Sequence, residues 1–338
     1  MQIMLPTPLL SVVVIGRNEG SRLLRCLESV RNMKDPGGGV EIIYVDSSST
    51  DDSCEAASQM GARVIPVHPS RPTAALGRNA GWRASTGRFV LFLDGDTILH
   101  SAFVSESLRK FESGTAIIFG NRREIHPEAS IYNRVLDLDW ISAFGNVDSC
   151  GGDALMRREA LEAVNGYDED LIAGEEPEMC RRLRELNWKI LHVDRPMTGH
   201  DLAMTRWFQY SRRAMRTGYA YAEVSERFHG SRIPFWEFEA RHNRNRALVQ
   251  VAIAASAVLA SVLWRTGWPI VFTLLLFLGL SLRTANMVAR KTPSLWTRFL
   301  YGIHSHLQQI PIYMGQLQYR LDRRNGRARG LIEYKEAS

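Results

Sequence analysis

Two carboxylates one residue apart, Asp94 and Asp96, follow the apolar run Phe89–Leu93. A pair of this kind at a strand end can hold a hard divalent cation, Mg2+ or Mn2+. Gly95 between them lets a ligand approach the backbone. Such a cation would bridge phosphate oxygens and neutralise a leaving diphosphate. Asp46 closes a second apolar run and opens the hydroxyl-rich stretch Asp46-Ser47-Ser48-Ser49-Thr50-Asp51. Its carboxylate can accept a base N–H, and hydroxyls such as that of Ser48, with the following helix start, can meet ribose or phosphate. An ordinary cap and turn accounts for the same stretch and, taken on its own, is the favoured reading. Arg78, inside Gly77–Gly81, can neutralise phosphate or position the base side of a donor. Glu175-Glu176-Pro177-Glu178 packs carboxylates densely enough to raise at least one pKa, which suits a general base. Proline and glutamate also open helices, so this run can be a helix start as well. His200, followed by Asp201, is a neutral imidazole that could complete a metal site.

These groups need elements to position them. Ser11–Ile15, Glu41–Val45, Val64–Val67 and Phe89–Leu93 are short β-branched or apolar runs that read as buried strands. Helical patterns alternate with them: Leu23, Leu24, Leu27 and Val30 share one face, Asp52 and Glu55 have capping-box spacing, and Ala75–Ala84 forms the next helix. Strand–helix alternation predicts a parallel α/β sheet covered on both faces. Ligands in such sheets bind beyond the carboxyl ends of strands, where Asn18, Asp46 and Asp94 all fall. Beyond residue 100 the spacing predicts a strand at Ala116–Phe119, helices at Arg158–Val164 and Glu178–Leu186, and a strand at Lys189–Val193.

The 338 residues exceed what one ordinary domain needs, and 45% hydrophobic with 23% charged residues excludes wholesale disorder. The net charge of +6 and pI near 9.3 suit a phosphate-rich substrate or an anionic membrane. A nucleic-acid partner is not expected, because the basic residues gather beside apolar spans. Cys26, Cys54, Cys150 and Cys180 form no C-x-x-C pair, which argues against zinc and for a reduced compartment. Met1–Pro8 has no signal-peptide pattern.

Ala247–Trp264 and Trp268–Leu282 are nearly uncharged and each about the length of a short transmembrane helix. Arg265-Thr266-Gly267 joins them into a hairpin, with Trp264 and Trp268 as interfacial anchors. Arg241, Arg244 and Arg246 flank one end, and Arg283, Arg290 and Lys291 the other. The positive-inside rule then predicts a multi-pass inner-membrane protein with its catalytic domain facing the cytoplasm. A buried core hairpin is the competing reading. Leu295–Leu321 reads as an amphipathic helix on the membrane surface, interrupted near Pro311, or as a helix packed on its own domain.

Over roughly Leu10–His200 these motifs, in this order, resemble the family 2 glycosyltransferases, inverting enzymes with a GT-A fold. Arg17-Asn18-Glu19 resembles the family's first nucleotide-contacting segment. Val45–Asp51 resembles its second, in which the Asp meets the base. Gly77–Gly81, followed by Gly87-Arg88-Phe89 and Phe92–Asp96, resembles the stretch that leads into D-x-D. The resemblance implies an α/β GT-A nucleotide-diphospho-sugar transferase fold, with a C-terminal transmembrane hairpin and amphipathic interfacial helices. It further implies Asp94 near ribose and metal, Asp96 as direct metal ligand, His200 as a further ligand, and Gly152 and Asp153 lining the donor sugar. Glu175-Glu176 aligns with a Glu-Asp pair whose second member is the usual base. Here that member is Glu176, and the longer side chain leaves Glu175 as a rival.

The implied reaction is direct displacement at the anomeric carbon, with a nucleotide-diphosphate sugar as donor, UDP by family habit. The acceptor is a hydroxyl or phosphate, lipid-linked if the membrane segments bring it, in envelope or exopolysaccharide synthesis. Arg206-Trp207 resembles the end of a Q-x-x-R-W motif of processive synthases, with Ala203 at the Gln position. These two residues are candidates for the acceptor or the diphosphate. The incomplete motif favours single transfer over processive synthesis. A nucleotidyltransferase and a non-catalytic membrane scaffold are the rival classes. The first lacks its Gly-rich phosphate loop, and the second does not need Asp94, Asp96 and Glu176 together. The expected division is a GT-A catalytic domain over 1–202, a basic-aromatic interfacial segment over 203–246, two transmembrane helices over 247–290, and an amphipathic surface helix with a tail over 291–338. Self-association through the hairpin is a further expectation.

Overall fold

A computed structural model describes residues 7–326. The first six residues of the expected catalytic domain and the tail from 327 to 338 lie outside the described residues. The first half of the chain alternates as expected: β1 (Leu10–Gly16), α1 (Ser21–Arg31), β2 (Val40–Asp46), α2 (Ser53–Gln59), β3 (Arg63–Pro66), α3 (Ala74–Ala84) and β4 (Phe89–Asp94). The order β3-β2-β1-β4 is all parallel, in register from Leu10↔Val40 and Leu10↔Phe89 onward. The strands are short and β-branched because helices cover both faces, so no face needs polar residues. Leu10, Val12 and Val14 point into one core layer, and Val13 and Ile15 into the other.

The sheet then changes direction. After β5 (Thr97–Leu99) and α4 (Phe103–Leu108) come β6 (Thr115–Glu124), α5 (Ile131–Asp139), β7 (Gly145–Asn146), β8 (Ala154–Arg157), α6 (Arg158–Ala163), α7 (Glu175–Glu185) and β9 (Lys189–His200). β8 pairs antiparallel with β4, and the full order is β3-β2-β1-β4-β8-β6-β9-β5, with β7 on β9. The parallel pattern therefore holds for the first four strands, and the complete sheet is mixed. β9 runs well past Val193, where the apolar pattern stops. Its second half, through Pro196, is held by pairing with β6 and β5 rather than by apolar content, and Thr97 faces His200 across that register.

Five helices follow: α8 (Trp207–Arg227), α9 (Glu237–Leu263), α10 (Trp268–Met287), α11 (Leu295–Leu307) and α12 (Gln309–Arg324). The patterned helix at 295–321 is thus two helices, broken at Gln308 before Pro311, where a proline suits a first turn. The domain-packed reading describes one face of α12. A Cβ at Gly218 of α8 would lie 1.7 Å from the Ile312 carbonyl oxygen, and one at Gly315 of α12 2.0 Å from that of Met215. Backbones this close require glycine on both helices. The outer faces of α11 and α12 still carry exposed Leu295, Trp296, Met314 and Leu321. α9 and α10 are each long and apolar enough to cross a membrane, with mean hydropathy of 1.9 and 1.7 over the most apolar stretch.

Candidate active site

The carboxyl ends of β1 and β4 open into a cavity of about 510 Å3. Loop residues Arg17, Asn18 and Glu19 form one wall, Asp94–Asp96 the floor, Gly151-Gly152 a second wall and the first turn of α7 a third. α8 closes the fourth side with Arg213, Arg216, Thr217 and Ala220, spaced i, i+3, i+4, i+7 on one helix face.

Asp94, Asp96 and His200 bring one ligand atom each within 4.8 Å of one another. The β5–β9 register is the cause. It sets His200 opposite Thr97, next to Asp96, with Nε2 3.5 Å from the Asp96 Oδ1. Burial, then the nearby Arg122 charge, holds the imidazole pKa well below its ordinary value, so the ring is neutral. Its Nδ1 is buried without a hydrogen-bond partner among the described residues. Two carboxylates and a neutral imidazole whose ligand atoms converge in this way fit a divalent cation such as Mn2+ or Mg2+.

Arg78 ties this cluster to α7. Its Nη2 donates to Asp94 Oδ1 at 2.9 Å, and its Nη1 lies 2.8 Å from Glu175 Oε1 and 3.2 Å from Glu176 Oε1. Burial works against its charge, but Glu176, Asp94 and Glu175 outweigh that and push its pKa well above the ordinary guanidinium value. α7 begins at Glu175, three residues before the patterned start, so both glutamates sit in its first turn, where the helix dipole favours negative charge. Glu176 nonetheless has a pKa pushed up to about 7. Burial raises it most, Glu175 raises it further and Arg78 opposes. Arg78 thus sits among three carboxylates while also lining the cavity. Gly152 sits against it. A Cβ there would be 2.4 Å from Arg78 Nη2 and 3.0 Å from Asp94 Oδ2.

The other predicted residues divide. Arg17, Asn18 and Glu19 line the cavity; Asn18 also accepts the Thr50 amide, 2.7 Å away, and Glu19 pairs with Arg22 at 2.9 Å. Asp46 lies behind the wall. Its carboxylate accepts from the Tyr44 hydroxyl at 2.9 Å and from the Ser49 amide at 2.8 Å, which is the turn geometry anticipated as an alternative. Ser48 turns away to the Val67 carbonyl at 3.0 Å. Asp153 lies beneath the floor. It accepts the Asp94 amide (3.1 Å), Arg122 Nη2 (2.7 Å) and the Thr198 hydroxyl (2.7 Å), and so orients Asp94 and Arg122. Arg206 and Trp207 line no part of the cavity. They start α8 at the surface, where the Gln209 side chain accepts the Arg206 amide at 2.9 Å.

Several wall residues were not anticipated, Arg122, Arg213, Arg216 and Trp236 among them. The i, i+3 spacing of the two α8 arginines was visible in the sequence. Trp236 was not, since it reaches the cavity through a left-handed backbone (φ 58°) at the start of α9.

The sequence model of Glycosyl transferase family 2 matches residues 11–164. The chain is 22% identical over 193 residues to Glycosyltransferase AglE of Haloferax volcanii, covering 54% of this chain and 64% of that protein. It is 26% identical over 210 residues to the pre-mycofactocin glycosyltransferase of Mycobacterium tuberculosis, covering 56% and 42%. In both cases the match spans less than two thirds of the relative's length. In structure it is similar to the mannosyltransferase PcManGT of Pyrobaculum calidifontis, solved with GDP-Man and Mn2+. The TM-score is 0.64 at 16% identity, covering 93% of this chain and 90% of that one. That likeness speaks for a shared fold. Residues 11–164, just under half of the chain, thus match the model of family 2 glycosyltransferases, and the mixed α/β sheet is of the GT-A fold.

Proposed function

We propose that the protein transfers a sugar from a nucleotide-diphosphate sugar to a hydroxyl or phosphate acceptor, with inversion, at a membrane surface. One observation carries the reading. Asp94, Asp96 and His200 face Glu175 and Glu176 across a single cavity, with Arg78 bound to both groups. A cation held by Asp94, Asp96 and His200 would supply electrostatic stabilisation of the departing diphosphate. Arg213 and Arg216 of α8 carry further positive charge towards the same space. Arg17, Asn18 and Glu19 are in reach of the nucleotide; Asp46 and Ser48 act on it only through the turn they build.

Glu176 takes the proton of a hydroxyl acceptor, or the last proton of a phosphate acceptor where that is still bound. Its pKa near 7 matches a general base that must be ionised yet still bind a proton, and Arg78 holds it in place. Glu175 is the more deeply enclosed of the two and is the weaker candidate. GDP-mannose in the Pyrobaculum protein supports a nucleotide-sugar donor and leaves UDP and GDP as the two donors to test first.

On this reading catalysis belongs to 1–202, 203–246 closes the cavity through α8, 247–290 is a hairpin, and within 291–338 the helix α12 packs on α8 beside the membrane. The outward apolar faces of α9 and α10 support insertion, and the flanking Arg241, Arg244, Arg283 and Arg290 support a cytoplasmic catalytic face. The test is release of nucleotide diphosphate from a panel of UDP- and GDP-sugars by the detergent-purified protein with Mn2+ or Mg2+. Wild-type turnover that falls about 100- to 1,000-fold in Asp96→Ala is expected, since this removes a carboxylate that would hold the cation facing the leaving group. Equal turnover in the variant overturns the assignment.

A further inference from the structure

A second cavity, of about 430 Å3, lies on the far side of α8, between α5, α9 and the α11–α12 junction. We propose that it binds the phosphate of a membrane lipid, which serves as acceptor, and that Arg246 and Arg213 are its cationic ligands. This rests on the glycosyltransferase reading above and adds the acceptor's chemical class and its place.

Four observations support it. The cavities share a wall: Arg213 and Thr217 of α8 line both, so Arg213 borders the proposed phosphate site and the first cavity alike. Arg213 acts electrostatically on His200 of the first site and on Asp139 of the second, which fits that position between them. Next, α9 presents Glu239, His242, Asn243 and Arg246 to the second cavity at i, i+3, i+4, i+7. Arg246 donates to the Ser305 carbonyl at 3.3 Å and lies 3.3 Å from His306 Nδ1, with no carboxylate partner among the described residues. A guanidinium has five donors in a planar fork, and those contacts leave several for phosphate oxygens.

The acids on the wall are Asp139 and Glu239. Asp139 is already held by the Tyr301 hydroxyl at 2.7 Å and lies 3.3 Å from His304 Nε2. The third observation is therefore that Asp139's charge is engaged within the protein, whereas Arg246's is not.

The fourth observation selects a lipid over a soluble phosphate. Arg246 is the last residue before the apolar run Ala247–Trp264, and α9 continues from it for about 25 Å, at about 1.5 Å per residue, with an apolar surface facing outward. A phosphate on Arg246 would stand at the headgroup level with its chain running beside α9. From there its oxygen can turn towards Arg213 and the first cavity. Leu136, Ala214, Phe238 and Ile312 give the wall apolar surface for the first carbons of a chain, beside the polar Tyr210, Thr217, Tyr221, Gln308 and Gln309.

The experiment uses the full chain in detergent micelles. Farnesyl phosphate, farnesol and inorganic phosphate are titrated by calorimetry, with UDP and GDP binding measured on the same samples. Farnesyl phosphate is expected to bind, and to bind at least tenfold more weakly to Arg246→Ala. Arg246→Lys, which keeps the charge but not the fork, should lose less. Ala214→Phe fills the cavity from α8 without touching either arginine, and should abolish binding while nucleotide binding stays. Retained nucleotide binding certifies the fold of each variant, and Ala214→Phe decides the matter if Arg246→Ala fails to fold. Farnesol binding as tightly as farnesyl phosphate overturns the phosphate assignment. Inorganic phosphate competing at the same concentrations overturns the lipid one. Farnesyl phosphate binding unchanged in Ala214→Phe and Arg246→Ala overturns the site. If neither nucleotide nor any donor binds, the glycosyltransferase reading fails, while the farnesyl phosphate results still judge the cavity.

Discussion

The floor of the first cavity and the surface of the α9–α10 pair invert the ordinary distribution of residues in opposite directions. Around the cavity, charge is inside: Arg78 is 2% exposed, Asp96 5% and Glu175 2%. Along the hairpin, apolar side chains are outside: Leu259 is 60% exposed and Leu263 70%, whereas Leu93 in β4 is fully buried. A protein interior accepts charge only when it is paired, and water tolerates an extended apolar face poorly. The first inversion is matched by mutual pairing. On the proposed reading a charged ligand adds to that pairing, and a membrane's apolar phase would match the second. Both features come from one chain with ordinary overall composition, so composition alone would miss them.

The comparison can be broken at several points. The largest effect is expected at the base. Glu176→Gln should lower kcat by about 100- to 10,000-fold, the usual contribution of a general base, with donor binding retained. The pH profile sharpens this. A base acts only when deprotonated, and the Glu176 pKa is pushed up to about 7. Wild-type kcat/KM should therefore fall as pH drops through about 7, rather than through the ordinary carboxylate range. Residual activity of the Gln variant should lack that limb. A wild-type limb near 4.5 in the same assay would assign the proton to a less perturbed carboxyl.

Next in size is the apolar core of the sheet. Leu93→Ala removes a fully buried side chain from between two covered faces, and should cost about 2–5 kcal/mol of unfolding free energy by denaturant titration. The hairpin gives the contrasting case. Leu259→Lys changes an exposed position, and in water such a change stays within about 0.5 kcal/mol. In a bilayer the same lysine costs roughly 2.5–3.5 kcal/mol at a helix centre. Carbonate extraction of cells expressing the variant separates the two, since only a membrane-inserted helix should lose membrane retention. The smallest effect is expected for Leu263→Ala, beside the interfacial Trp264. Alanine loses little apolar surface there, and unfolding free energy should change by less than about 0.5 kcal/mol.

Much of the first half was legible because its signals are local. Unbroken β-branched or apolar runs follow from helices covering both faces, and the carboxylates Asp46 and Asp94 stand directly after two of those runs. Asp94 and Asp96 were therefore visible as a candidate cation site, and Arg17–Glu19 as a neighbouring wall. Three assignments needed distances that the sequence does not carry. Asp46 and Ser48 turned out to build a turn, because their oxygens are consumed within a few residues by Tyr44, Ser49 and Val67. Asp153 sits below the floor because β8 runs antiparallel to β4 and carries it under Asp94. Arg206 and Trp207 belong to a helix start whose far turns, rather than its first, reach the cavity.

The sequence alone determined the elements of the first four strands and their helices, the two apolar helices and the residue types of the candidate cation cluster, since these depend on neighbours within a few positions. Which partners those residues meet was decided only by the tertiary structure. Arg78 and Glu175 are 97 positions apart and bond at 2.8 Å because α3 and α7 converge on the same cavity at the edge of the sheet. His200 joins Asp96 because β9 continues past its apolar stretch to pair with β5. Periodicity fixes the face of an element, but it holds no information on which distant element that face will meet.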